Sequence, residues 1–305
     1  MKRHTLHKLI LSTLLFTISF LALFISRENS AFADWYSSTI YPLFVSSIGR
    51  LFGIFPFSVS EIGLYMFVIL LLFSLIRMLV NSISRKIFAQ KKNLSWSGYG
   101  SSLLLLCGCL FTIYTFFCGI NYGHTSFAEE YHLESGQYTL TELTSLCNKL
   151  TDQLNTLSDS VDRNSDGLAD MGKDLQDRAR TAMSSLGATY PELSGYYPQP
   201  KELLFPAFLS VQNLSGIYSP FTIEANYNSA MVSYNLPFTA CHELSHLRGF
   251  MQEEEANFIG FLACVNTDDT AFNYSGYLLG WIYATNELYE ADYDAFEEIY
   301  DRLSA

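Results

Sequence analysis

Pro237-Phe238-Thr239-Ala240-Cys241-His242-Glu243-Leu244-Ser245-His246-Leu247-Arg248-Gly249 is the stretch on which the reading of this chain turns. On a helix, positions i and i+4 share a face, so His242 and His246 reach one metal ion while Glu243 stands beside them to take a proton from water. In a chain with 6 His, about 0.006 accidental copies of this pattern are expected, so chance explains it poorly. The residues leading in are small or apolar, as on a helix packed inside a domain. Gly249 supplies the left-handed residue that stops the helix.

Beyond Gly249, Gln252-Glu253-Glu254-Glu255-Ala256-Asn257 opens a second amphipathic helix running through Phe258, Ile259, Phe261, Leu262 and Val265. A catalytic zinc site uses three protein ligands and leaves a position for water, and two His plus one Glu is a standard set. Glu253 is the first choice for the third ligand. Asn257 follows it one turn later on the same face, where its amide can hold the carboxylate or a ligand histidine. Glu255, about 200° away on an ideal helix, is the second choice and Glu254 the third. The helix dipole also favours carboxylates in a first turn, which accounts for at least one of the three without any metal.

Glu253-x-x-Ala256-Asn257 after His242-Glu243-x-x-His246 resembles the Glu-x-x-Ala-Asp/Asn element of gluzincin peptidases. That resemblance implies zinc binding by Glu253, although here only six residues separate His246 from Glu253. Gly249 falls where metzincins place a glycine, but Gln252 stands where their third histidine would be. Nearly the whole chain is similar to a bacterial membrane-protein family of unassigned function with N-terminal spans and a C-terminal zincin-like domain. The matching pieces are Pro56-Phe57-Ser58-Val59-Ser60-Glu61, Gly216-Ile217-Tyr218-Ser219-Pro220-Phe221-Thr222, Glu224-Ala225-Asn226, and Pro237 through Phe258.

The N-terminal part reads as membrane. Apolar runs at about 6–25, 62–83 and 101–120 are long enough to cross a hydrocarbon core of about 30 Å. Lys2, Arg3 and Lys8 lie at the start of the first, and Arg85, Lys86, Lys91 and Lys92 lie between the second and third. The positive-inside rule then puts the N-terminus in the cytoplasm and the C-terminal domain outside. Ala31-Phe32-Ala33 has the form of a signal-peptidase site, but Arg27 and Glu28 beside it and the long apolar run favour an uncleaved anchor. Residues 35–56 mix aromatics with few charges and read as an interfacial helix.

Charge follows the same division. Residues 1–120 hold 10 Lys+Arg against 3 Asp+Glu, whereas residues 121–305 hold 8 against 27, a net of −19. So acidic a domain is a poor partner for nucleic acid and suits cationic peptides or divalent ions. Cys107, Cys109 and Cys118 read as apolar filler in the third span, and Cys241 and Cys264 are placed to meet as a disulfide.

In the C-terminal domain, 140–157 and 175–186 read as amphipathic helices, and 274–290 and 293–303 as two closing helices. Leu203 to Phe221 begins as a helix and ends in a Ser-Gly-x-x-Ser-Pro turn. Thr222 to Leu236 alternates weakly, consistent with short strands, and is the expected substrate-pairing edge. Glu224 and Asn226 read as turn caps, with support of the metal ligands as the alternative. Asp162-Arg163-Asn164-Ser165-Asp166-Gly167 begins like a calcium loop but has Lys173 where the bidentate carboxylate belongs, so it reads as a polar loop. Tyr274, Tyr277 and Tyr283 have hydroxyls that could donate to an oxyanion, but each reads first as aromatic core or surface packing.

The expectation is a mainly α chain: three transmembrane helices in residues 1–120, then an extracytoplasmic α+β zincin-like domain with a small sheet over 121–305. Its function would be zinc-dependent hydrolysis of peptide or protein substrates, with His242, His246 and Glu253 as ligands, Glu243 as base and Asn257 supporting them. The competing class is a non-catalytic membrane protein, with a structural or vacant metal site, that binds an envelope partner.

Overall fold

The computed structural model describes residues 3–88, 96–133, 136 and 138–303. It is mainly helical with one small mixed sheet, and three of its helices are long and apolar enough to cross a bilayer. α1 (Arg3–Glu28) leads into a bent helical stretch of α2 (Ser30–Trp35), α3 (Tyr41–Phe44) and α4 (Arg50–Gly53), joined by π turns at Tyr36–Ile40 and Val45–Gly49. The long helices α5 (Val59–Phe88) and α6 (Trp96–Phe117) follow. Lys2, Lys91 and Lys92, on which the expected orientation partly rests, lie outside the described residues.

α1 and α6 pack together through small residues. Thr5, Ser12, Ser19 and Ser26 are buried at seven-residue spacing on α1, and Ser101, Gly108 and Thr115 at the same spacing on α6. In a bilayer two apolar helices have no hydrophobic reason to associate, and close backbone approach with interhelical hydrogen bonds is what joins them there. Ser19 and Thr112 share such a bond at 3.0 Å, and Lys8 Nζ donates to Ser102 Oγ at 2.7 Å. α5 stays outside this pair, with only 6 % of its span buried. The third span, expected to reach residue 120, ends at Phe117; Gly119–Gly123 forms a 3-10 turn because Ile120 and Asn121 are drawn into the protein core.

The remaining elements are α7 (Phe127–Glu130), α8 (Leu140–Ser158), α9 (Leu175–Leu186), β1 (Lys201–Glu202), α10 (Ala207–Ser210), β2 (Gly216–Ser219), β3 (Glu224–Tyr227), α11 (Asn235–Arg248), α12 (Glu253–Val265), α13 (Thr270–Ala291) and α14 (Tyr293–Tyr300). The calcium-like segment is a tight loop in which Asn164 Oδ1 accepts the N–H groups of Asp166 and Leu168 at 3.0 Å each. The strand order is β1-β3-β2, with β3 parallel to β1 and antiparallel to β2. This corrects the expected edge. All four residues of β3 are buried, so Glu224–Tyr227 is the central strand, and Gly216–Ser219, which had read as a turn, is one of the two edge strands.

The segment 35–56, read as an interfacial helix, packs one face into the main core and leaves Leu43, Leu51 and Ile54 exposed on the other. Tyr36, Tyr41 and Val45 are buried with Leu244, Leu247 and Ile259, and the Tyr41 hydroxyl donates to the Leu247 carbonyl at 3.0 Å. Glu224, expected as a turn cap, clamps the sheet to α5 instead. Its carboxylate accepts the N–H groups of Val59 at 3.1 Å and Ser60 at 2.7 Å, filling orphan donors at the α5 N-terminus, and pairs with the buried Lys201 ammonium. Removing one member of a buried pair leaves the other charge uncompensated. Glu224→Ala is therefore expected to cost about 3–5 kcal/mol, read as a lowered denaturation midpoint of the detergent-solubilised chain.

Candidate metal centre

α11 is enclosed, and its ends are held by other elements. Pro237 sits in the first turn, where its missing N–H is not needed. Ser275 on α13 accepts the Phe238 N–H at 3.1 Å and donates to the Tyr234 carbonyl at 2.5 Å, so a neighbouring helix supplies the cap. At the other end Gly249 has φ +114°, which a side chain would resist, and the N–H groups of Gly249 and Phe250 return to the carbonyls of His246 and Ser245. The chain reverses there and α12 folds back across α11. At Gly260 a Cβ would stand only 3.2 Å from the His242 nitrogen, so the two backbones are in direct contact and the start of α12 lies over the histidines.

His242, His246 and Glu253 converge, with one potential ligand atom from each within 4.8 Å of the others. Glu253 Oε2 lies 3.3 Å from His242 Nε2, and Glu253 Oε1 lies 3.6 Å from His246 Nε2. Ligand bonds of about 2.1 Å at tetrahedral angles separate donor atoms by roughly 3.4 Å, so the donor set fits zinc in type and in spacing. The His246 Nδ1–H donates to the Phe250 carbonyl at 2.8 Å, which turns the Nε2 lone pair toward Glu253. Burial, and then the neighbouring His242, hold His246 below the ordinary histidine range, in the neutral form a metal requires. The hydrogen bond to His242 is the largest of the influences that keep Glu253 below the usual carboxylate range.

Glu243 faces the same cleft from the next position on α11. Burial, followed by the charge of Glu253, pushes its carboxyl well above the usual range, and its Oε2 is buried without a hydrogen-bond partner. Gly216 on β2 makes room for it: a Cβ there would fall 2.6 Å from Glu243 Cγ. The cleft encloses about 430 Å³ between the triad, the edge strand β2, and Tyr114, Cys118 and Tyr122 from the end of α6 and the turn beyond it.

Other expected residues lie elsewhere. Glu255 accepts the Phe127 N–H at 2.5 Å, capping α7, and Glu254 is exposed outside the triad. Asn257 hydrogen-bonds Tyr283 rather than a ligand; Tyr274 and Tyr277 pack against the α8–α13 core. Cys241 and Cys264 do meet, as free buried thiols in hydrogen-bond contact. Gly216, Tyr114 and Tyr122 were missed by sequence reasoning. Only the glycine left a signal, within a stretch read as a turn.

Residues 36–305 match the family described as "Protein of unknown function (DUF3810)", and the chain belongs to that family. No curated protein and no solved structure gives a match.

Purified full-length protein is expected to hold close to one zinc per chain by elemental analysis. His246→Ala and Glu253→Ala are each expected to weaken zinc binding by at least about a hundredfold, whereas Glu255→Gln should retain it. A wild-type protein that binds no zinc would remove the site from consideration.

Proposed function

We propose that this chain is a membrane-anchored, zinc-dependent metallopeptidase with a zincin-like active site, whose catalytic face lies outside the cytoplasm. One observation carries the reading: His242, His246 and Glu253 converge on one point while Glu243 stands buried and incompletely hydrogen-bonded in the same cleft. A buried carboxylate oxygen without a partner costs about 1–3 kcal/mol or more, and such groups persist where function needs them. The basic residues Arg85 and Lys86, in the last turn of α5, and Lys91 and Lys92, which follow in the sequence, support the orientation.

His242, His246 and Glu253 would hold the ion. Zinc, when bound, polarises a carbonyl oxygen and lowers the pKa of water beside it. Glu243 takes the proton from the water that attacks the peptide carbonyl carbon and delivers it to the departing nitrogen. The C–N bond breaks, the hydroxyl stays on the acyl carbon and the hydrogen goes to the amine. The raised pKa of Glu243 suits both halves of this transfer, since a group too acidic is a weak base. Among the described residues no strand pairs with the outer edge of β2, so an extended substrate has backbone groups to meet directly beside the triad.

Glu243→Gln keeps shape and ligands but cannot accept the proton. It is expected to retain zinc and to lose peptide hydrolysis by about 10³-fold or more; retained hydrolysis, or metal lost with the fold while Glu243 is dispensable, would favour a structural site and the non-catalytic reading. Gly216→Ala should also keep zinc but lower kcat/KM by about a hundredfold, because the new methyl displaces the Glu243 carboxylate.

A further inference from the structure

Between β1 and β3 the chain carries no charge at all from Leu203 to Ile223, in a C-terminal region with 27 acidic residues. Within this segment Leu204, Phe205, Phe208, Val211, Leu214 and Ile217 are exposed, Val211 to 86 %. So many exposed apolar side chains in one short uncharged segment mark a surface meant for something other than water.

Its position says what that is. The carboxylate of Glu61, in the first turn of α5, accepts the N–H groups of Leu204 at 2.7 Å and Phe205 at 2.9 Å. The Phe205 ring meets Tyr65 edge-on at 5.7 Å, one turn further along that helix. The segment therefore starts level with the second turn of a helix whose outward residues, such as Met66 and Ile69, are 57 % and 64 % exposed and apolar. The two apolar surfaces meet at Phe205 and Tyr65, and α5 is long and apolar enough to cross a bilayer. The absence of charge fits burial in acyl chains rather than attraction to headgroups.

The far end of the segment returns to the metal centre. Leu214 and Ile217 line the same cleft as His242, His246 and Glu253, and the facing wall includes Tyr114, which lies within the α6 span. Both walls of the mouth thus belong to elements that reach lipid.

We infer that the exposed apolar side chains of Leu204, Phe205, Phe208 and Val211 insert into the bilayer leaflet that surrounds the outer ends of α5 and α6, so that the cleft opens at the lipid surface and receives polypeptides tethered to that membrane. The lipid contact stands on geometry alone; the substrate class rests on the peptidase reading. A tethered substrate is confined to the layer at which the mouth opens, which raises its effective concentration without any new contact.

The test uses the full chain in phosphatidylcholine–phosphatidylglycerol vesicles containing a phospholipid with a diazirine in its acyl chain. After irradiation, peptides from 203–223 should carry lipid adducts at a density comparable to α5 and at least tenfold above α8. Phe208→Asp combined with Val211→Asp should reduce that labelling at least tenfold while zinc content is unchanged. Labelled α5 beside an unlabelled 203–223 would overturn the proposal, whether water or a second copy covers the segment. In the same vesicles a degenerate quenched-fluorescent peptide pool is supplied free or on a palmitoyl anchor. Wild type should cleave the anchored pool at least tenfold faster, with the ratio falling toward one in the double variant. Equal rates would overturn the substrate class. Lipid adducts with no hydrolysis of either pool would overturn the peptidase reading and leave the membrane placement standing.

Discussion

Helix α11 is buried along most of its length, between α9, α12, α13 and the β2–β3 face, and this enclosure constrains everything around it. Each polar group it carries must be satisfied inside the protein or left at a cost. Ser245 bonds back to the Cys241 carbonyl and His246 Nδ1 to the Phe250 carbonyl. His242 Nδ1 and Glu243 Oε2 have no partner. A deficit of about 1–3 kcal/mol at each such group is bearable because Leu244 and Leu247, both fully buried on the same helix, contribute about 1.5–3 kcal/mol apiece. The same helix thus carries the unsatisfied chemistry and much of the stabilisation that tolerates it.

The membrane-proximal helices belong to this core. Tyr41 fills the space beside Gly249, with its ring 3.5 Å from where a Cβ would sit, and its hydroxyl reaches both the Leu247 carbonyl and the Tyr218 hydroxyl. Tyr218 in turn donates to the Phe117 carbonyl at the end of α6. Glu224 and Glu61 lock the start of α5 to the sheet and to the strand β1 exit in reciprocal fashion. Cutting the chain at residue 120 would expose Leu244, Leu247 and Ile259 to water by removing Tyr36, Tyr41 and Val45. The segment between α1 and α5, together with the end of α6, is therefore part of the scaffold around the triad.

Parts of this arrangement were legible because they depend on local rules. The His242–His246 spacing, the stop at Gly249 and the carboxylates opening α12 follow from helical periodicity and end effects. The bounds of α8 and α9 agree with the expected 140–157 and 175–186 to within a residue, since amphipathic periodicity is strong there. Reading failed where a residue's partner is remote in sequence. Asn257 shares a helical face with Glu253 but bonds Tyr283 on α13, and Glu255 is taken by Phe127 on α7. Edge and centre of a three-stranded sheet differ only in what lies alongside, so the turn-like Ser215-Gly216 stretch concealed an edge strand.

By itself the sequence determined that two imidazoles and a carboxylate share one helix, that a second acidic helix follows after a left-handed glycine, and that three apolar runs can span a bilayer. These are properties of neighbours along the chain, governed by backbone geometry and hydrophobic length. Only the tertiary structure decided which of Glu253, Glu254 and Glu255 faces the histidines, because that choice depends on how α12 crosses α11 at Gly260 and on Phe127 claiming Glu255. It also decided that Gly216 lies against Glu243 and that Tyr114 shares its cleft, since contact between segments far apart in sequence is set by packing and leaves no periodic trace.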